Sequence, residues 1–219
     1  VPTLFWEQAR DALERIKPVF MLAESDAPDL HVKAFDMTYD WRLYDALKLI
    51  AAGKANAQAL RDWWAYEQAT YPRDAYRMRY TANHDSNSWH GHDVEFYGDA
   101  FKAMSILAAT LPGMPLIYGG QESVLDRKLA FFEKDPINWK TFGLQDFYAG
   151  LLQLKCAHPA LTNGESGNAL EWLPSDPNIA AFVRGENEMR FRVMVNLTGK
   201  ISKVENVELP AWGLRIDRV

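Results

Sequence analysis

Two hydrophobic periodicities alternate along the first 157 residues of the chain. Helical spacing of apolar positions predicts helices at residues 3–16, 42–68, 98–111 and 144–157, the second of them broken near Gly53. Short apolar runs predict strands at residues 19–23, 34–39, 78–82 and 115–118. The run at 19–23 is wholly apolar, so we expect a strand that is buried on both faces. Strands that alternate with helices favour a parallel sheet of the α/β class.

The pattern changes after Pro159. Short strand-like runs punctuated by Gly, Asn, Pro and Asp predict a small antiparallel β domain. These runs cover residues 169–173, 179–184, 189–196 and 204–209, and residues 185–188 are expected to connect a hairpin. We therefore divide the chain into an α/β domain at residues 1–158 and a β domain at residues 159–219.

Composition excludes several classes of protein. The chain has 219 residues with a formal net charge of −5, which argues against a nucleic-acid partner or an anionic membrane surface. Cys156 is the single cysteine, so neither an internal disulfide nor a multi-cysteine metal site is expected. No apolar run approaches the roughly 20 residues that a membrane-spanning helix needs.

The start of the chain and its aromatic content qualify this picture. Residues 1–6 show neither an initiator Met nor a signal-peptide pattern, which suggests an interior cut and leaves the compartment open. Aromatic residues make up 13% of the chain, with 8 Trp. Flat aromatic faces suit sugar rings as well as core packing.

Polar groups follow three of the four predicted strands of the α/β region. They are Glu24, then Asn83, His84 and Asp85, then Gln121 and Glu122, while Asp36 and Asp40 lie in and just after the remaining strand. Such a strand end is where α/β barrels place catalytic groups. Converging carboxylates suit glycoside hydrolysis, and they suit a hard metal ion equally well. Taken singly, each segment is also typical of a polar turn.

The order of these motifs resembles the α-amylase superfamily (glycoside hydrolase family thirteen). Residues 20–24, Phe-Met-Leu-Ala-Glu, resemble the family's fifth-strand motif, and residues 79–85, Arg-Tyr-Thr-Ala-Asn-His-Asp, resemble its seventh-strand motif. Residues 112–122 are similar to the eighth-strand segment, and residues 127–139 resemble the linker after it. The resemblance implies the C-terminal half of a TIM (β/α)8 barrel, strands five to eight, followed by the family's β-sandwich domain.

The resemblance also implies roles for individual residues. Glu24 would be the general acid/base, and Asp85 the further catalytic carboxylate that stabilises the transition state. At the end of an apolar strand, Glu24 is expected to be partly desolvated, as an acid catalyst needs. Sugar-binding residues would be His84, Asn83, Trp41 and Tyr39, with Trp89 as a further stacking face. No metal or other cofactor is expected in this chain, and a calcium site would lie in the half that is not present. His90 and His92 could chelate a metal, but a polar loop is the interpretation that we favour.

The chain departs from the family at the nucleophile. The fourth-strand Gly-x-Arg-x-Asp type segment and the third-strand Asp-x-x-x-x-Asn-His motif are absent. Since retaining hydrolysis needs a nucleophilic carboxylate beside the acid, we expect a fragment that is inactive alone. The substrate implied for the complete enzyme is an α-glucan or maltooligosaccharide. An α-glucan transferase or isomerase of the same family, and a non-catalytic sugar-binding relative, remain as alternatives.

Half a barrel would leave two sheet edges and the inner face of its strands open. Exposed strand edges are templates for pairing with another chain. We therefore expect the isolated chain to self-associate through those edges or to rearrange them.

Overall fold

The structure, a computed structural model, describes residues 1–139, 141–167, 169–186 and 190–219. The helices are α1 Thr3–Glu14, α2 Trp41–Ala51, α3 Ala57–Thr70, α4 Asp93–Tyr97, α5 Phe101–Thr110 and α6 Gln145–Ala157. The strands in the first part are β1 Leu22–Ala23, β2 Met37–Tyr39, β3 Tyr76–Arg79 and β4 Met114–Pro115. Those in the second part are β5 Leu170–Trp172, β6 Ile179–Arg184, β7 Phe191–Asn196, β8 Ser202–Val204, β9 Val207–Leu209 and β10 Leu214–Arg218.

The first four strands form one parallel sheet in the order β1-β2-β3-β4. Leu22 pairs with Met37, Met37 with Tyr76, and Met78 with Met114, so the strands run in register in chain order. Helices α2 and α3 connect β2 to β3, and the break predicted near Gly53 separates them. The predicted α/β class, with a parallel sheet followed by antiparallel strands, is confirmed; the assignment to barrel strands five to eight stays a prediction.

The edge strands are much shorter than the apolar runs predicted. Instead of residues 19–23, β1 covers only Leu22–Ala23, and Phe20 is 54% exposed rather than buried on both faces. Likewise β4 covers Met114–Pro115 instead of residues 115–118. An edge strand has one hydrogen-bonded neighbour, so the strand itself extends only as far as that neighbour pairs with it. The prediction of a doubly buried first strand was wrong.

The two central strands are buried on both faces. On one face, Met37, Tyr39, Met78 and Tyr80 pack into a buried apolar cluster, while the open inner face of a half barrel stays a prediction. Tyr44 of α2 stacks on the Tyr80 ring at 5.1 Å and covers part of this cluster.

The opposite face of β3 carries a buried charge network. Arg77 and Arg79 both contact Glu67 of α3, with nitrogen–oxygen distances of 3.0 Å. Arg79 also pairs with Asp40 and donates to the Pro112 carbonyl at 2.7 Å. A buried charge is tolerated only when it is paired and hydrogen-bonded, and this network meets both conditions.

The four-stranded antiparallel sheet has the order β10-β7-β6-β5. One face of β6 and β7 packs against the β8–β9 hairpin, and the other joins the core of α2, α3, α5 and α6. The run predicted as one strand at 204–209 is instead a hairpin, because the chain reverses at Glu205 with φ 53°. Strand β10 was not predicted. The expected connection at 185–188 lies partly outside the described residues.

Arg184 joins the two parts of the chain. It lies at the end of β6 with no exposed surface, and its guanidinium donates to the carbonyls of Thr110, Gly167 and Ala169. Thr110 is the last residue of α5, so the arginine satisfies an orphan carbonyl at a helix C-terminus. Burial lowers the pKa of Arg184 to about 9. The division at residues 158 and 159 stays a prediction.

Within the described ranges, the helices are all too short or too polar to cross a membrane.

Candidate active site

Two strands of the parallel sheet deliver the predicted site residues to one edge. Strand β1 ends at Ala23 and is followed at once by Glu24. Strand β3 ends at Arg79, and the next three residues lead the chain to Asn83, His84 and Asp85. Because β1, β2 and β3 are parallel, both carboxyl ends lie on the same side of the sheet, where α/β proteins bind ligands.

Glu24, His84 and Asp85 form a compact cluster at this edge. His84 Nε2 lies 3.1 Å from Glu24 Oε1 and 3.8 Å from Asp85 Oδ2. All three side chains are about half exposed, at 53% for Glu24, 45% for His84 and 47% for Asp85. Glu24 follows the edge strand β1 and keeps about half of its side-chain surface in contact with solvent, so its expected desolvation is at most partial.

The same cluster has the donor chemistry of a divalent metal site. One ligand atom from each of Glu24, His84 and Asp85 lies within 4.8 Å of the other two. An imidazole nitrogen and two carboxylate oxygens suit several divalent ions. The expectation of no metal in this chain stays a prediction.

Asn83 is buried and holds the turn that follows it. Its Oδ1 accepts from the Ser86 backbone N–H at 2.8 Å, while Ser86 Oγ accepts from the Asn83 backbone N–H at 2.8 Å. This reciprocal capping precedes a π-helical turn, Ser86–His90. His84 and Asp85 lie directly before the first residue of that turn. These contacts orient the loop, and the role of Asn83 as a sugar ligand stays a prediction.

Tyr39 ends the neighbouring strand β2, and Trp41 is the first residue of α2. Tyr39 is 6% exposed, and burial together with the charges of Glu24 and Asp85 raises its pKa. The Asn83 side chain opposes that rise in the pKa. Trp41 is 41% exposed, with its ring 6.3 Å from that of Tyr39, so it presents a flat face to solvent beside the cluster.

Asp36 and Asp40 do not reach the cluster as available carboxylates. Asp40 has no exposed surface; it caps α2 through the Leu43 N–H and accepts from Trp63 at 2.9 Å. Asp36 is held by Arg10 at 2.9 Å and accepts from the Met21 N–H at 2.7 Å. Both aspartates are bound to structural partners.

The polar residues that follow β4, Gln121 and Glu122, hydrogen-bond to neighbouring loops and turns. Gln121 is buried, donates to Thr81 Oγ1 at 2.9 Å and also hydrogen-bonds Asp93. Burial raises the pKa of Asp93 to about 6, and the Gln121 hydrogen bond moderates the rise. Glu122 accepts from the Gly120 N–H at 3.1 Å and so stabilises its own turn.

His90 and His92 belong to the loop around α4. His92 precedes α4 and lies 3.9 Å from Glu95, and His90 ends the π-helical turn. The interpretation of this segment as a polar loop agrees with these positions.

Sequence reasoning named Trp89 as a stacking face but missed the two phenylalanines that form an aromatic surface with it beside His84. The Phe131 ring lies 6.1 Å from the His84 ring, inclined by 29°, and the Trp89 ring lies 5.1 Å from Phe131. Phe132 completes this group at 4.8 Å from Phe131. The signal in the sequence was a pair of phenylalanines among charged residues, which had been assigned to a linker.

Curated relatives of this chain are α-amylases. It is 28% identical over 167 residues to α-amylase MalA of Haloarcula japonica, covering 74% of this chain and 24% of that protein. It is 26% identical over 186 residues to α-amylase 2 of Dictyoglomus thermophilum, covering 78% of this chain and 31% of that protein. The chain is similar in sequence to α-amylases over about three quarters of its length. No family model matches it.

A solved structure agrees with this relationship at the level of the fold. The cyclic α-maltosyl-(1→6)-maltose hydrolase of Arthrobacter globiformis, in complex with maltose, superposes with a TM-score of 0.81 at 20% identity. The match covers 100% of this chain and 54% of that one, so this chain spans about half of the solved structure's length. The predicted resemblance to the α-amylase superfamily is confirmed, while the roles of the six site residues stay predictions.

Proposed function

We propose that this chain carries the acid/base part of a retaining enzyme that acts on α-glucans. The observation that supports it best is the cluster in which His84 Nε2 contacts Glu24 at 3.1 Å and Asp85 at 3.8 Å. Glu24 protonates the glycosidic oxygen and later activates the attacking water. Asp85 and His84 hold the hydroxyls of the sugar at the scissile bond, and Asp85 stabilises the positive charge of the transition state.

The nucleophile is proposed to come from outside this chain. Retaining enzymes place the reacting carbon between two carboxylates about 5 Å apart. Glu24 and Asp85 have oxygens within 4.8 Å of one another, but the imidazole of His84 contacts both. Asp36 and Asp40 are held by Arg10 and Arg79, so neither can replace the missing carboxylate. The 219-residue chain should therefore bind glucans without cleaving them.

The substrate class follows from the relationship to the α-amylases. Curated relatives carry the name α-amylase, and a solved structure of the same fold is a maltose complex. We propose α-glucans and maltooligosaccharides as the substrates of the complete enzyme. Acceptor-dependent transglycosylation would instead identify a transferase or isomerase, and oligosaccharide affinity without any turnover would identify a binding module.

The test is maltooligosaccharide turnover by three proteins: this chain, the longer protein that contains it, and that longer protein with Glu24→Gln. We expect activity only in the unmodified longer protein, with Glu24→Gln lowering kcat by about 10²–10⁴-fold. Glu171→Gln is the matched control, because Glu171 is an exposed carboxylate on β5 that pairs with Arg190. Assays with and without a chelator separate acid catalysis from a metal at the cluster. Turnover by this chain alone would refute the missing nucleophile.

A further inference from the structure

Glu24, His84 and Asp85 present three metal-ligating atoms to solvent at the end of the parallel sheet. One oxygen from each carboxylate and one imidazole nitrogen lie within 4.8 Å of one another. The side chains are 53%, 45% and 47% exposed, so a hydrated ion can reach all three from solvent. Two carboxylates beside an imidazole attract and can ligate a divalent cation.

The spacing of these atoms fits tetrahedral coordination. His84 Nε2 lies 3.1 Å from Glu24 Oε1 and 3.8 Å from Asp85 Oδ2. Zinc–nitrogen and zinc–oxygen bonds of about 2.1 Å place neighbouring ligands of a tetrahedron about 3.4 Å apart. Since the two distances in the structure bracket that separation, an ion can take the place of the proton between His84 and Glu24 after small side-chain movements.

The backbone around two of the ligands is already held in place. Asn83 and Ser86 cap each other through two hydrogen bonds of 2.8 Å, and His84 and Asp85 lie between them in the chain. The Phe131 ring lies 6.1 Å from the His84 ring, inclined by 29°, and so packs beside one face of the imidazole. An ion that binds here therefore has little backbone freedom to remove, which lowers the entropy cost of binding.

The ligand set selects the kind of ion. Ca²⁺ and Mg²⁺ prefer oxygen ligands alone. An imidazole nitrogen with two carboxylate oxygens suits Zn²⁺ better. Three protein ligands leave the fourth tetrahedral position open to water, as in zinc sites that exchange their outer ligand.

We propose that Glu24, His84 and Asp85 bind one Zn²⁺ ion, which excludes a sugar from this site. The ion takes the oxygen lone pair that Glu24 needs for the proton it transfers. It also occupies the His84 nitrogen and the Asp85 oxygen that would hydrogen-bond the sugar hydroxyls. The ion is therefore an inhibitor and not a cofactor. Exclusion of sugar rests on the proposed function, whereas the metal site rests on the geometry of the three ligands.

Calorimetric titration of ZnCl₂ into the 219-residue chain tests the metal site. We expect one ion per chain, with MgCl₂ binding at least about tenfold more weakly. His84→Ala and Asp85→Asn should each lower the Zn²⁺ affinity by at least about tenfold, because even changes to residues behind a ligand cost about that much. Both side chains are half exposed, and urea unfolding checks that the variants keep the fold.

The matched control is His90→Ala. His90 is an exposed histidine at the end of the π-helical turn, and with His92 it forms the other histidine pair of this region. We expect His90→Ala to keep the Zn²⁺ affinity of the unmodified chain.

Competition with maltotriose in the longer protein tests the exclusion of sugar. At a Zn²⁺ concentration about ten times its dissociation constant, we expect KM to rise by about tenfold. The value of kcat should stay unchanged, because sugar in excess displaces the ion. Addition of a chelator should restore the original KM.

The outcomes separate this inference from the proposed function. A chain that binds no Zn²⁺, or an equal loss of affinity in His84→Ala and His90→Ala, would refute the metal site and leave the sugar chemistry as proposed. A fall in kcat at constant KM would refute the exclusion of sugar. Zn²⁺ binding that depends on His84, in a longer protein that cleaves no α-glucan, would support the metal site and refute the proposed function.

Discussion

At the residue scale, local capping and ion pairing determine which polar groups can reach a substrate. Asn83 and Asp40 look like site residues in the sequence, but the first caps a turn and the second caps a helix. Glu24, His84 and Asp85 remain half exposed and close to one another. We therefore assign these three groups to substrate binding and catalysis.

We expect the free energy of unfolding to depend on pH through the buried carboxyl group of Asp93. It is 8% exposed, and burial raises its pKa from 3.8 to about 6. The folded chain therefore binds this proton more tightly than the unfolded chain. That stabilisation is complete below about pH 4 and is lost as the pH rises through about 6.

Replacing Asp93 with Asn removes the loss of stability at high pH, because Asn does not ionise, and keeps an acceptor for Gln121. We expect the free energy of unfolding of Asp93→Asn, relative to the unmodified chain, to rise by roughly 2–3 kcal/mol between pH 4 and pH 7. Urea unfolding at the two pH values measures it, with the exposed Asp99→Asn as control. An equal difference at both pH values would contradict the assigned cause.

At the scale of helices and strands, the hydrophobic pattern predicted most helices and the central strands, but not the extent of the edge strands β1 and β4. The pattern placed α2, α3, α6 and β6 correctly because each buries one continuous apolar stripe or both faces against neighbours. It failed for β1, since an apolar run cannot reveal whether the sheet continues beyond it. It also failed for the β8–β9 hairpin, whose reversal at Glu205 lacks the glycine that usually signals such a turn.

Arg184 on β6 hydrogen-bonds to the last residue of α5, so we expect its replacement to lower the stability of the chain. Its guanidinium supplies hydrogen bonds to three carbonyls, and Leu would leave them without a donor. Although Leu removes a costly buried charge, we expect Arg184→Leu to destabilise the chain by at least about 2 kcal/mol.

The comparison for Arg184 is Arg190→Leu, measured by the same urea unfolding. Arg190 pairs with Glu171 at 2.7 Å, but both side chains are exposed, so this loss should stay within about 1 kcal/mol. Similar losses in the two variants would show that the buried hydrogen bonds are not what stabilises the junction.

At the scale of the whole molecule, the first helix and the edge strand β1 leave large apolar side chains exposed to solvent. Helix α1 buries none of its residues, and Leu4 and Phe5 are 62% and 53% exposed. Phe20, just before the edge strand β1, is 54% exposed. Apolar surface beside an open strand edge favours association, and we propose a second copy of this chain as its partner.

Sedimentation velocity over a range of concentrations tests this association. We expect the average sedimentation coefficient of the unmodified chain to rise with concentration, because pairing removes apolar surface from water. The double variant Leu4→Ser and Phe5→Ser should lose that rise. Ile201→Ser should keep it, since Ile201 is 65% exposed but lies in the β region. A concentration-independent monomer would contradict the proposal.

Glu24 is proposed to protonate the leaving group, and a comparison of two leaving groups tests this role most directly. In the longer protein, Glu24→Gln should lower kcat/KM for maltotriose by about 10²–10⁴-fold. The loss should be much smaller for formation of the glycosyl-enzyme from α-maltosyl fluoride, because fluoride departs without a proton. Equal losses on the two substrates would contradict the acid/base role of Glu24.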